Sequence, residues 1–328
     1  MSYPHKFSVA PMMDWTDRHC RYFHRLLSNK AQLYTEMITD QAIIHGDKQR
    51  LLDYSDQEHP IAIQLGGSNP TSMAAAAKVA EDWGYDEINI NVGCPSDRVQ
   101  SGSFGACLMQ TPEVVAQCVE AMGLVVDKTP ITVKSRIGVD DMESFEALVD
   151  FVDVISKAGC QSFIIHARKA WLQGLSPKEN RSVPPLNYDW VYEIKRLYPQ
   201  LNIGINGGIM DIDSAKQHLL SVDSAMLGRA VYHQPYLLAE VDEKIYGQNG
   251  AIKSREQVLL QFIKYMQMQV EQAVPVRSMT RHILGLYHGE PNAKMFRRLL
   301  SGKVVEIAHL YEWLEFKTKQ GELDAQTG

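Results

Sequence analysis

Five cysteines in 328 residues are too few, and too scattered, to make a disulfide scaffold. Cys20, Cys94, Cys107, Cys118 and Cys160 form no C-x-x-C pair and no zinc spacing, and the odd count leaves at least one thiol free. No run of eighteen apolar residues appears, so a membrane-spanning helix is not expected. The opening Met1-Ser2-Tyr3-Pro4-His5-Lys6 lacks the apolar core of a signal peptide. The expectation is a reduced, cytoplasmic protein with no membrane attachment and no structural metal. Basic charge is also in deficit. A net charge of −6 argues against a protein that binds nucleic acid over its whole surface, while leaving room for a local basic patch. No G-x-G-x-x-G follows the first strand-like segment, which counts against a doubly wound dinucleotide-binding sheet.

What is present is an alternation of strand and helix signals through the first three quarters of the chain. Strands are expected at 7–10, 32–37, 61–65, 88–92, 131–134, 162–166, 201–206 and 224–228, each a short apolar or alternating run. Helices are expected between them, at 17–27, up to Trp83, 114–126, 144–158, 188–198 and 212–220. Asn69-Pro70 and Thr111-Pro112 each supply a cap followed by a first-turn proline. Eight such units over about 230 residues predict a (β/α)8 TIM barrel. Residues 229–246 read as a short helix plus a linking helix, and Gly247-Gln248-Asn249-Gly250 is a turn-rich break after them. Beyond it the period is helical: Val258, Leu259, Phe262, Ile263, Met266 and Val270 make one apolar stripe, with further helices at 279–287, 293–300 and 304–316 and a polar, frayed tail at 321–328. The expected organisation is a catalytic barrel over 1–245 and a small all-helical C-terminal domain over 250–328.

A barrel of this kind carries its chemistry at the C-terminal ends of its strands. Those ends read Pro11-Met12, Glu36, Gln64, Asn91 with Cys94, Lys134, His166, Asn206-Gly207-Gly208 and Gly228-Arg229. Any one of these has an ordinary structural explanation, but their convergence on one face points to a site. Glycines after strands seven and eight let backbone N–H groups approach a phosphate, and Arg229 adds a fork of donors. Lys134 and His166 can face negative charge on a ring held against that phosphate, and Gln64 can donate and accept at a heterocycle edge. The pattern fits flavin mononucleotide, although composition alone does not separate it from other phosphates. Cys94 sits in Gly93-Cys94-Pro95-Ser96, where Gly and Pro end the strand and leave the thiol on a loop.

The stretches Val9–Asp17, Gln64–Gly67, Asn89–Pro95, Lys134–Gly138, His166–Arg168, Asn206–Ile209 and Met226–Arg229 resemble the bacterial tRNA-dihydrouridine synthases, over about residues 7–310. The run Ala170–Arg181 is similar to the A subfamily, whose members reduce uridine at positions 20 and 20a of the tRNA D-loop. The resemblance implies that NADPH reduces a bound FMN and leaves, that hydride then passes to C6 of uracil, and that an acid protonates C5. It assigns the acid to Cys94 and the hold on the uracil edge to Asn91. It assigns the FMN contacts to Pro11, Met12, Met13, Gln64, Lys134, His166, Asn206, Gly207, Gly208, Gly228 and Arg229. An ordinary thiol is mostly protonated at neutral pH, which suits a donor, and no base stands beside Cys94 in the sequence to make it a nucleophile. Arg136 and Arg168 are left open between phosphate contact and salt bridge.

The overall acidic balance hides a basic stretch. Residues 277–303 hold six Lys and Arg against one Glu, whereas 304–328 are net acidic. Lys294, Arg297 and Arg298 share one helical face. The resemblance places Lys294 and Arg297 among the tRNA contacts, with Lys178 and Arg181 as a second pair on the loop after strand six. Such contacts position RNA without reading its sequence, and the target base must leave its stack to reach a flavin. Two other readings compete: an FMN barrel acting on a free pyrimidine, of the dihydroorotate or dihydropyrimidine dehydrogenase type, and a tRNA-binding protein without catalysis. No obligate protein partner is inferred.

Overall fold

The computed structural model describes residues 5–96 and 102–327. Eight parallel strands form one sheet: β1 (Phe7–Val9), β2 (Leu33–Thr39), β3 (Ile61–Gly66), β4 (Glu87–Val92), β5 (Ile131–Arg136), β6 (Ser162–His166), β7 (Asn202–Asn206) and β8 (Ser224–Leu227). Each pairs with its sequence neighbour from β2 to β8, and β1 pairs with β8. The sheet closes where Val9 N–H donates to the Gln32 carbonyl at 2.9 Å and Gln32 N–H donates to the Phe7 carbonyl at 3.0 Å. The expected (β/α)8 TIM barrel is the observed fold.

The helices over the barrel are α1 (Arg18–Leu27), α2 (Asp40–His45), α3 (Lys48–Leu52), α4 (Pro70–Asp82), α5 (Pro112–Gly123), α6 (Phe145–Lys157), α7 (Tyr188–Leu197), α8 (Ile212–His218) and α9 (Arg229–His233). Local chemistry explains their starts. Asp17 accepts the N–H groups of His19 and Cys20, Asn69 accepts that of Ser72, and Ser144 accepts that of Ala147. Thr111 is the N-cap residue of α5 but makes no side-chain cap bond, so the proline after it is the stronger part of that signal.

Strand alternation divides the barrel into two environments. Ile61, Ile63, Leu65, Ile88, Ile90, Val92, Phe163 and Ile165 belong to the large core shared with the helices. Ala10, Tyr34, Ala62, Ile164 and Met226 form a separate small cluster on the inner face. Such an interior is ordinarily filled by branched apolar side chains. Here buried polar groups replace many of them, including Gln64, Glu87, Asn89, Asn91 and Thr132.

After α10 (Val241–Lys244) come α11 (Arg255–Glu271), α12 (Val276–Thr280), α13 (Ala293–Leu300) and α14 (Ile307–Thr327). Ser254 and Gln257 close a capping box at the start of α11. The α11 stripe packs on α1, with Tyr22 stacked on Tyr265 at 3.8 Å and Phe262 against Phe23 at 5.1 Å. Val270 departs from that stripe and is exposed. The helix expected at 279–287 ends at Thr280 and continues as turns. A glycine is needed in those turns: a Cβ on Gly285 would lie 2.1 Å from the His233 carbonyl oxygen of the barrel. The last helix starts later and runs further than its apolar pattern indicates, through the polar stretch to Thr327.

Candidate functional site

All eight strands, or the residues directly after them, contribute to one cavity of about 420 Å³ at the C-terminal end of the barrel. Its wall includes Pro11, Met12 and Met13 after β1, Gln64 on β3, Asn91 and Cys94 at β4, and Lys134 on β5. His166 from β6, Asn206, Gly207 and Gly208 from β7, and Gly228 and Arg229 after β8 complete the circuit. Every residue assigned above to FMN, together with Cys94 and Asn91, therefore lies on this one surface. Arg181 reaches it as well. Lys178 is exposed and is not part of the wall, and Lys294 and Arg297 lie on the exposed face of α13.

The loop that carries Cys94 is held by the end of β4. The Asn91 carboxamide oxygen accepts the backbone N–H of Gly93 at 3.1 Å and of Cys94 at 3.0 Å. The Asn91 amide donates to Gln64 Oε1 at 2.8 Å. Cys94 Sγ lies 3.5 Å from the Ser96 hydroxyl. Of the five free thiols, Cys20, Cys118 and Cys160 are buried in packing, and burial pushes each of them up. Among the described residues that line the cavity, Cys94 is the only cysteine.

The electrostatics of the cavity favour an anion. Lys134, Arg136, His166, Arg181 and Arg229 line it, and among the described residues Asp14 is the one carboxylate in the wall. Burial, reinforced by Arg136, lowers the Lys134 ammonium to about 7, and its Nζ contacts an amide oxygen, Asn206 Oδ1, at 3.4 Å. Burial, followed by Arg136, Lys134, Arg168 and Arg229, holds His166 well below the usual imidazole range, so the ring is neutral at pH 7. Gly207 and Gly208 adopt φ of +113° and +70°. A Cβ on Gly207 would meet the His166 ring at 2.5 Å, and one on Gly208 would meet Leu186 at the same distance. This is a backbone shaped for close approach beside a patch where, among the described residues, positive charge outnumbers negative. Those features fit a phosphorylated group such as a flavin nucleotide.

Arg136 and Arg168 are not salt-bridge residues among the described residues. Arg136 donates to the carbonyls of Gly93, Lys169 and Asn180, at 3.1, 3.2 and 2.8 Å. It thus ties the Cys94 loop to the loop after β6. That second loop is itself organised on buried Asn180, whose amide donates to the Trp171 and Leu175 carbonyls and whose oxygen accepts the Trp171 N–H. Arg168 donates to the Pro184 carbonyl on the same loop. Arg229 donates to the Arg181 carbonyl at 2.9 Å.

Reading strand ends alone passes over Trp15, which lines the cavity and stacks on Tyr232 with centroids 4.2 Å apart. Its signal in the sequence is only an aromatic two residues before the Asp17 cap. On α13, Lys294, Arg297 and Arg298 are exposed while Phe296 and Leu300 are buried, so the helix presents a basic face. Arg281 does not add to that charge, because it donates to Asp17 at 2.7 Å.

The sequence profile described as Dihydrouridine synthase (Dus) matches residues 8–316. A Synechocystis sp. protein named tRNA-dihydrouridine(20/20a) synthase is 56% identical, covering 90% of this chain and 88% of its own length. Proteins of the same name from Shewanella oneidensis and Escherichia coli are 52% and 54% identical, over 98% and 91% of this chain and 96% and 90% of theirs. A solved structure of a 2-naphthoyl-CoA reductase in complex with 2-naphthoyl-CoA has the same fold, with a TM-score of 0.56 at 10% identity, over 73% of this chain and 50% of that one. No helix among the described residues is long and apolar enough to cross a membrane. With all of the barrel but the first residue of β1 inside the matched region, the chain belongs to the dihydrouridine synthase family of oxidoreductases.

Proposed function

We propose that the protein reduces the C5=C6 bond of uridine in tRNA to 5,6-dihydrouridine in the cytoplasm, with FMN as bound cofactor and NADPH as transient reductant. The observation that carries this reading is the cavity: a thiol, a carboxamide and a half-buried cation with no ion-pair partner among the described residues face one anion-favouring volume at the mouth of the barrel. The names of the relatives support tRNA as substrate and positions 20 and 20a, which lie in the D-loop, as the target.

Bound in the cavity, the flavin would supply hydride chemistry. The remaining tasks fall to the chain. Gly207, Gly208, Gly228 and Arg229 would receive the phosphate, with backbone approach and a guanidinium fork. Pro11, Met12 and Met13 would border the ring system, Gln64 and Asn206 its polar edge, and neutral His166 would offer a hydrogen bond without adding charge. Lys134, poised near neutrality by burial, would gain a partner for its charge. Asn91 would orient the uracil edge. Cys94 would give a proton to C5. Lys134, Arg136 and Arg181 lie within electrostatic reach of its sulfur, so the anion left behind would face positive charge. Residues 250–328 act in this reading as a tRNA-binding domain attached to the 1–245 barrel, with Lys294 and Arg297 as one pair of phosphate contacts and Lys178 and Arg181 as the other.

Nucleoside mass spectrometry of tRNA from a deletion strain, before and after complementation, tests the reading. Dihydrouridine at positions 20 and 20a should vanish and return. Unchanged dihydrouridine in the deletion strain would overturn it. Activity on free uracil derivatives by a chain lacking residues 250–328 would instead favour a free pyrimidine as substrate.

A further inference from the structure

The inner face of the barrel holds an unbroken line of hydrogen bonds that begins under the Cys94 loop and ends on a carboxyl group near the other end of β4. Asn91 Nδ2 donates to Gln64 Oε1 at 2.8 Å, Gln64 Nε2 to Asn89 Oδ1 at 2.8 Å, and Asn89 Nδ2 to Thr132 Oγ1 at 2.7 Å. The Thr132 hydroxyl donates to Glu87 Oε1 at 2.6 Å, and the Tyr34 hydroxyl reaches the same oxygen at 2.5 Å. All six side chains are buried: Asn89 and Thr132 have no exposure, Tyr34, Gln64 and Glu87 have 1%, and Asn91 has 8%. Glu87 and Asn91 are four residue steps apart along the strand, about 13 Å.

The direction of this line is set at both ends. Two backbone N–H groups, of Gly93 and Cys94, can only donate, so the Asn91 oxygen must face them. Its amide then faces Gln64, which must accept there and donate onward. The same logic passes through Asn89 to Thr132. A hydroxyl has one proton, and since Thr132 accepts from Asn89, that proton needs an acceptor below it. Glu87 supplies the acceptor for it.

We propose that Glu87 is a positioning residue: through Thr132, Asn89 and Gln64 it fixes the direction in which Asn91 holds the Cys94 loop. The inference rests on the proposed function only for what Asn91 and Cys94 do with the substrate. The line itself is independent of it. Burial raises the Glu87 carboxyl to about 8, with the Thr132 bond acting against that shift, so a neutral amide is a fair substitute for it near pH 7. Glu87→Gln keeps an acceptor oxygen for both hydroxyls. Glu87→Leu removes it, and Thr132→Val cuts the line while leaving Glu87 and Tyr34 in place.

The test compares flavin-loaded wild-type protein with these three variants in two measurements. The first is hydrogen exchange of the Gly93 and Cys94 amides. The second is single-turnover reduction of uridine in tRNA that lacks dihydrouridine. Glu87→Leu and Thr132→Val should both speed exchange at the two amides and slow the turnover by about 10- to 100-fold with KM little changed. Glu87→Gln should match wild type in both. Wild-type exchange and rate in Thr132→Val, or in a folded Glu87→Leu, would overturn the proposal, as would a Glu87→Gln variant as defective as Glu87→Leu. If Glu87→Leu does not fold, Thr132→Val decides. If wild-type protein itself leaves uridine unreduced, the functional reading fails while the exchange comparison still decides the line.

Discussion

The side-chain oxygen of Asn91 accepts the backbone N–H of Cys94 at 3.0 Å, so the strand and the loop that meet at this point are held by one carboxamide. The same carboxamide faces the cavity that Cys94 lines. Removing it should disturb the thiol's placement and the substrate's hold together. Asn91→Ala is expected to lower the rate of uridine reduction by about 100-fold while leaving the flavin bound. Stopped-flow measurement of turnover, with flavin content read by absorbance, checks this. Loss of the flavin would move Asn91 to the cofactor.

Lys134 carries a cost in the flavin-free protein. Its folded value of about 7 lies below the ordinary lysine value, so between about pH 7 and 10.4 the unfolded state binds the extra proton. Stability should therefore rise with pH through that window, and the cost is fully present below it. Lys134→Met should raise the Tm of flavin-free protein at pH 7 and remove this part of the pH dependence. The same variant should bind flavin nucleotide more weakly. Calorimetry and a flavin titration on one preparation measure both. A variant that is less stable and binds as tightly would contradict the assignment.

Asp17 is an N-cap and an ion-pair partner at once. Burial alone would raise its carboxyl, but the His282 contact, the Cys20 N–H and Arg281 outweigh burial and hold it well below the usual carboxylate range. A depressed carboxylate stabilises the fold fully above the unfolded value of about 4, and the contribution is lost as pH falls toward the folded one. Asp17→Asn keeps a capping oxygen for His19 and Cys20 and removes the charge. It should cost about 1–3 kcal/mol at pH 7 and flatten the acid limb of the stability profile. Denaturant melts at pH 7 and pH 3 give both values.

The exposed face of α13 makes no ion pair through Lys294, Arg297 or Arg298 among the described residues. Charge of that kind binds phosphate at a cost in salt sensitivity. Lys294→Ala with Arg297→Ala should weaken tRNA binding and reduce the slope of log affinity against log salt by about 1–2. An unchanged slope would remove this face from the tRNA site.

The barrel was legible because eight strand-like runs alternate with capped helices, and each apolar run faces the shell of helices. The site was legible because strand ends can be read in order. Glu87 escaped that reading for a physical reason. It begins β4, at the end remote from the cavity, and a carboxyl at a strand start ordinarily faces water, yet this one is 1% exposed. Its inward direction follows only from sharing a face with Asn89 and Asn91 at period two. Arg136 was legible as a cation but not as a clasp, since its three acceptors are backbone carbonyls from two loops, and carbonyls carry no sequence signal. Arg281 counted toward the basic stretch until its partner, Asp17, was brought to it across the chain by packing of the C-terminal helices on α1.

In the proposed reaction Cys94 delivers a proton to the substrate and has no part in holding the cofactor. Rapid mixing of flavin-loaded Cys94→Ala protein, first with NADPH and then with tRNA lacking dihydrouridine, tests this most directly. Flavin content and the absorbance change with NADPH should match wild type, with reduction of uridine slowed by about 100-fold or more. Wild-type reduction of uridine by Cys94→Ala would contradict the role given to the thiol.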